Sequence, residues 1–169
     1  MMPETMVLSG IGLLFLFQAL QSLLQFLVSP ETLQAIVFWL FGSLLKSTWT
    51  KVAIVSAALA LGVPAAMADA WRLTALKLGD ARARGLGVDV ARLRLRMFLV
   101  VSVLTAIAVA FVGTIGFIGL VAPHVARMLV GEDHRFLLPM SALSGAVLLS
   151  AASVASKTIH PGTVFPLGI

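Results

Sequence analysis

Residues able to do acid-base, metal or nucleophilic chemistry are scarce in this sequence and poorly spaced for it. Cysteine is absent, which removes disulfides, Cys-ligated zinc and thiol catalysis together. His124, Glu132, Asp133 and His134 collect imidazoles and carboxylates, yet no His-Glu-x-x-His pattern sets two imidazoles one helical turn apart. They read as a solvated loop with no metal. His160 stands beside a turn as a surface residue. The phosphate-loop pattern Gly-x-x-x-x-Gly-Lys-Ser/Thr does not occur, so the chain carries no ATPase site of its own. Its apolar runs hold neither a nucleophile with a base nor paired acids, which disfavours an intramembrane enzyme. No cofactor is expected.

The dense chemistry is instead charge of one sign. Of twelve Lys and Arg residues, seven fall in one stretch, Arg72, Lys77, Arg82, Arg84, Arg92, Arg94 and Arg96, with apolar runs on both sides. Basic loops close to membrane spans stay on the cytoplasmic side. The stretch 71–96 is therefore an orientation signal, and the place where a soluble partner could touch. The formal charge of +5 and pI near 10.8 do not point to nucleic acid, because the basic residues flank spans and few aromatics interleave with them.

The elements that position this charge must be membrane helices. At 60% hydrophobic and 11% charged residues, with mean hydropathy +1.06, the chain has too few polar groups to cover a water-soluble globule. The expected class is all-α: a polytopic transmembrane bundle of about four to five segments with short interfacial and coupling helices, one region over residues 1–169.

Crossing a bilayer takes roughly 20 helical residues. Met6–Val28 meets that length and lacks the basic flank and cleavage site of a signal peptide, so it reads as a mature span. Its Gln18, Ser22 and Gln25, with Gln21 beside them, share one face, either as hydrogen-bonding glue or as the polar wall of a pathway. Thr32–Leu45 is too short to cross and suits an interfacial helix. Val52–Ala68 is a second span, bent near its far end by Pro64. Met97–Ala126 carries no Lys, Arg, Asp or Glu in 30 residues, too many for one upright helix and too few for two. One full span followed by a short, broken one is the economical solution, with Gly113, Gly116, Gly119 and Pro123 as the helix-break and hinge candidates. Those glycines permit either close helix packing or a hinge. Phe136–Ser156 is a further span, with Pro139 in its first turn, Ser141, Ser144 and Gly145 on a packing face, and Lys157 at its end. If 71–96 lies inside, Glu31–Lys51 lies outside; Arg127–Arg135 returns to the inside only if the short Gly-rich segment crosses, which its two arginines favour, and Lys157 then emerges outside.

Two stretches are specific enough to carry a family resemblance. Gly113-Thr-Ile-Gly-Phe-Ile-Gly-Leu-Val-Ala-Pro-His-Val-Ala-Arg127, followed by Asp133-His-Arg-Phe-Leu-Leu-Pro139, resembles a signature of the permease subunits of ABC importers for iron chelates, haem and vitamin B12. Leu76-Lys-Leu-Gly-Asp80 with Ala83-Arg-Gly-Leu-Gly87 resembles the cytoplasmic coupling segment of the same permeases. Weaker resemblance extends through Phe38-Trp-Leu-Phe-Gly42 to the closing Pro166-Leu-Gly-Ile169.

The resemblance implies a permease in the prokaryotic plasma (inner) membrane. It would work as a homodimer, with an ABC ATPase subunit below and a substrate-binding protein above, and this chain would match its C-terminal half. It implies ATPase coupling through Leu78, Gly79, Asp80, Arg82, Ala83, Arg84, Gly85, Leu86 and Gly87, with Asp80, Arg82 and Arg84 as charged contacts and Leu78 and Leu86 as apolar anchors. Lys157 would then dock the binding protein, where the bland reading is a snorkelling lysine. Gln18, Gln21, Ser22 and Gln25 stay as pathway-lining candidates. Ser153, Lys157 and Thr163–Pro166 depart from the family's outer-face charge pattern, and the family's gate aligns near Pro3 and Glu4, so no gate is carried over. The rival function is a membrane interaction fragment that transports nothing. The cargo itself is not legible.

Overall fold

A computed structural model of the chain describes residues 3–44 and 47–159, and all of their regular structure is α-helical. The expectations placed on Leu45, His160 and the closing Thr163–Ile169 lie outside the described residues. Eight helices follow in order among them: α1 Pro3–Leu27, α2 Pro30–Leu40, α3 Trp49–Ala68, α4 Ala70–Leu76, α5 Asp80–Gly85, α6 Val90–Val112, α7 Ile118–Val130 and α8 His134–Ile159. Four contain stretches long and apolar enough to cross a membrane, Val7–Leu27, Trp49–Ala68, Val90–Val112 and His134–Thr158, while α7 is apolar but short.

The described residues form two compact units, divided between Phe38 and Trp39. In the first, α1 is an apolar rod whose Gln18, Gln21 and Ser22 are exposed and whose Gln25 is half-buried. A serine hydroxyl opens α2, because Ser29 Oγ accepts from the Thr32 N–H at 3.4 Å.

In the second unit, α3 and α6 pack on each other and α7 and α8 form a tight hairpin. Small residues set both approaches. A methyl on Gly62 would sit 2.8 Å from the Leu104 side chain, and one on Gly145 would sit 3.5 Å from Ala122 Cβ. Both α3 and α6 start on a polar cap: Thr48 Oγ1 accepts from Lys51 N–H ahead of α3, and Asp89 Oδ1 accepts from Arg92 N–H ahead of α6. Asp133 Oδ1 accepts from Arg135 N–H, so α8 starts two residues before the expected span. Pro139 therefore lies inside the helix, beyond its first turn. Pro64 and Pro123 likewise lie inside α3 and α7.

The division of Met97–Ala126 comes from backbone geometry at Gly113. This glycine ends α6 at φ +79°, a region costly for any residue with a Cβ. Its α-carbon faces the Trp39 carbonyl and the Gly42 backbone, so a side chain there has no space. Ser43 N–H donates to Val112 O at 2.8 Å, and Thr114 Oγ1 donates to Leu40 O at 2.6 Å, which fixes the same junction. Gly116 lies in the non-helical link and Gly119 in the first turn of α7; neither has another atom within 4 Å of a would-be methyl.

A buried core gathers at the opposite end of α6, around its first turn. Ala75, Ala83, Val88, Val90 and Leu93 form it, with Leu73, Leu76 and Met97 against it. Large apolar side chains along the spans, such as Phe26 at 85% and Leu61 at 77%, stay exposed. A surface of this kind suits lipid, where apolar groups need no protein cover.

Candidate coupling site

The basic stretch folds into α4, a turn, α5, a second turn and the first turns of α6. Gly79 at φ +95° and Gly87 at φ +82° bracket α5 and reverse the chain on either side of it. Gly85 closes α5 and has open space around it. Ala83 faces inward and is completely buried in the local core. Its small size lets α5 lie flat on α4 and α6, so its side chain positions the segment from within.

Five of the seven cations have a carboxylate partner. Asp69, only 1% exposed, receives two arginines: Arg72 Nη1 at 2.7 Å on Oδ1 and Arg96 Nη1 at 3.0 Å from Oδ2. Asp80 pairs with Arg94 at 2.8 Å, and Asp89 with Arg92 at 3.7 Å. Lys77 Nζ reaches the last loop, donating to Glu132 O at 3.0 Å and to its carboxylate at 3.1 Å. That hydrogen bond and the lysine's charge hold the Glu132 carboxyl below the usual carboxylate range. Thr74 completes the link, its Oγ1 accepting from His134 N–H at 3.0 Å and lying 3.4 Å from Asp133 Oδ1.

Arg82 and Arg84 remain. Both are exposed on α5 and have no ion-pair partner among the described residues. Leu78 and Leu86, at the two ends of α5, are each about half exposed. This short helix thus presents two cations without ion-pair partners among the described residues between exposed apolar ends, the mixture of groups that interfaces combine. Lys157 is exposed in the last turn of α8, far along the chain from this segment.

Two site features escape a reading of the sequence. Asp69 stands at the polar end of a span, and only its i, i+3 relation to Arg72 hints at a pair. The link from Thr74 to His134 joins residues 60 apart in sequence.

The chain is similar to known proteins over its whole length. The FecCD transport family matches residues 1–169. An iron chelatin transport system permease protein of Helicobacter pylori is 42% identical over 165 residues, covering 98% of this chain and 50% of its own length. A cobalamin import system permease protein of Halobacterium salinarum is 40% identical over 98% of this chain and 44% of that protein. Among solved structures, an inward-facing conformation of a metal-chelate type ABC transporter superposes with TM-score 0.83 at 39% identity, over 96% of this chain and 51% of that one. The chain thus spans about half the length of the proteins it matches. The family match runs along the whole length of the chain, and this multi-pass membrane protein belongs to the FecCD transport family.

Proposed function

We propose that the chain supplies part of the membrane pathway of an ATP-driven importer for an iron-siderophore, haem or cobalamin cargo. A separate ATPase subunit docks on its cytoplasmic segment 71–96, and a second permease copy and a substrate-binding protein complete the assembly. The protruding face of α5 carries this reading, with Arg82 and Arg84 unpaired between exposed Leu78 and Leu86.

A push on α5 has two stiff routes into the membrane. One runs through the buried core of Ala75, Ala83, Val88, Val90 and Leu93 into α6. The other runs through Thr74 and Lys77 into the loop that opens α8. Closure of the ATPase on ATP would tilt these helices together and switch the pathway between its two faces. Gln18, Gln21, Ser22 and Gln25 offer α1 a polar lining, and the link from Gly113 to Gly119 allows α7 to move relative to α6. At the outer end, Lys157 steers the binding protein. Lys157→Glu then slows its association at low salt, with the difference shrinking as salt rises.

The test of docking is charge reversal. Arg82→Glu with Arg84→Glu should abolish co-purification of a phosphate-loop ATPase from native membranes while leaving the protein inserted and helical. Undiminished recovery of the ATPase would overturn the assignment.

A further inference from the structure

Where α3 ends and α6 begins, the chain opens a cleft of about 170 Å³ whose polar lining is Asp69, Arg72, Asp89, Arg92 and Arg96. Three guanidinium groups face two carboxylates there, leaving one formal positive charge. Internal pairing uses a small part of their hydrogen-bonding capacity, because each guanidinium carries five N–H donors in a planar fork. Arg72 and Arg96 each place one nitrogen on Asp69, and Arg92 only approaches Asp89 at 3.7 Å. Asp69 Oδ2 is buried, with Arg96 Nη1 as its ion-pair partner at 3.0 Å, so the donors left open to the cleft are the remaining guanidinium N–H groups.

Position adds the chemical class. The cleft lies beside Ala68, the last residue of one membrane stretch, and Val90, the first of another, so it sits where hydrocarbon gives way to headgroups. We propose that it holds the headgroup of an anionic phospholipid of the phosphatidylglycerol type. The phosphodiester accepts N–H donors of Arg92 and Arg96. A carboxylate side chain from a soluble protein fits less well, because it would set a third carboxylate beside Asp69 and Asp89.

The full chain is purified, reconstituted with equal amounts of phosphatidylglycerol and phosphatidylcholine, and the retained lipids are counted by native mass spectrometry. Phosphatidylglycerol should be enriched, and Arg92→Gln should lower that enrichment by about fivefold. This variant keeps the helix start, because the Asp89 cap accepts from the Arg92 backbone N–H and not its side chain. Arg135→Gln, an exposed arginine outside the cleft, should leave the enrichment unchanged. Equal retention of the two lipids would overturn the proposal. So would an equal loss in Arg135→Gln, which indicates general attraction to a basic surface, or loss of enrichment with added inorganic phosphate, which indicates a soluble anion.

Discussion

Asp69→Asn should loosen the whole coupling segment while the spans stay folded. The carboxylate is 1% exposed and meets Arg72 at 2.7 Å and Arg96 at 3.0 Å, so the substitution leaves two guanidinium groups facing a neutral amide. Breaking a fully buried pair costs about 3–5 kcal/mol. Here the arginines are 55% and 49% exposed and regain water, which reduces the expected cost to about 2–3 kcal/mol. That corresponds to a rise of about 30- to 150-fold in the rate of exchange through local opening. Hydrogen exchange followed by mass spectrometry reads it at Leu73, Ala83 and Val88, whose N–H groups donate to Asp69, Gly79 and Ala83 carbonyls at 2.9–3.0 Å. Asp89→Asn is the comparator. Asparagine caps a helix as well as aspartate does, and the Arg92 pair is exposed and long, so its exchange should change by less than about threefold. Equal, small effects from both substitutions would refute the argument that Asp69 organises the segment.

Glycine substitutions should separate backbone need from open space. Gly113→Ala places a methyl against the Trp39 carbonyl at φ +79° and should destabilise by at least about 2 kcal/mol, whereas Gly119→Ala, in open helix, should be neutral or slightly stabilising in thermal unfolding. Single cysteines at Ala91 and Ser47 should react with an impermeant thiol reagent from opposite sides of the membrane, Ala91 from the cytoplasm. A cysteine at the buried Ala83 should stay unreactive from either side until the segment opens. The Lys77–Glu132 link should depend on acid. The Glu132 carboxyl is held below its ordinary value of 4.5, so the contribution is fully present above that pH and is lost as the pH falls below it through the lowered value. Exchange protection near residue 77 should show that loss, and Glu132→Gln should remove the pH dependence.

Hydropathy made the spans legible because apolar runs with no charge have one use at that length. The short α7 followed from counting, since residues 97–126 fit neither one helix nor two. Its cause lay outside that count: Gly113 must take a positive φ against the Trp39 carbonyl, more than 70 residues away in sequence. The segment 71–96 was visible as a basic stretch with glycines at its turns. Which cations remain free was not, because pairing depends on folding. Arg94 and Arg96 look equivalent to Arg82 and Arg84 in the sequence, and only the fold, which brings Asp69 and Asp80 to α6, gives the first two their carboxylates. Ala83 illustrates the same limit. It stands between two exposed arginines, yet its small side chain faces the core and makes no contact surface.

The central claim is that the face of α5 meets an ATPase, and photocrosslinking in cells tests it most directly. Benzoylphenylalanine in place of Leu86, at one end of that face, should capture a polypeptide that carries a phosphate-loop ATPase sequence, identified by mass spectrometry. The same group in place of Leu61, exposed in the middle of α3, should capture lipid or other spans and no ATPase. An ATPase captured from Leu61 as readily as from Leu86, or from neither, would contradict the account.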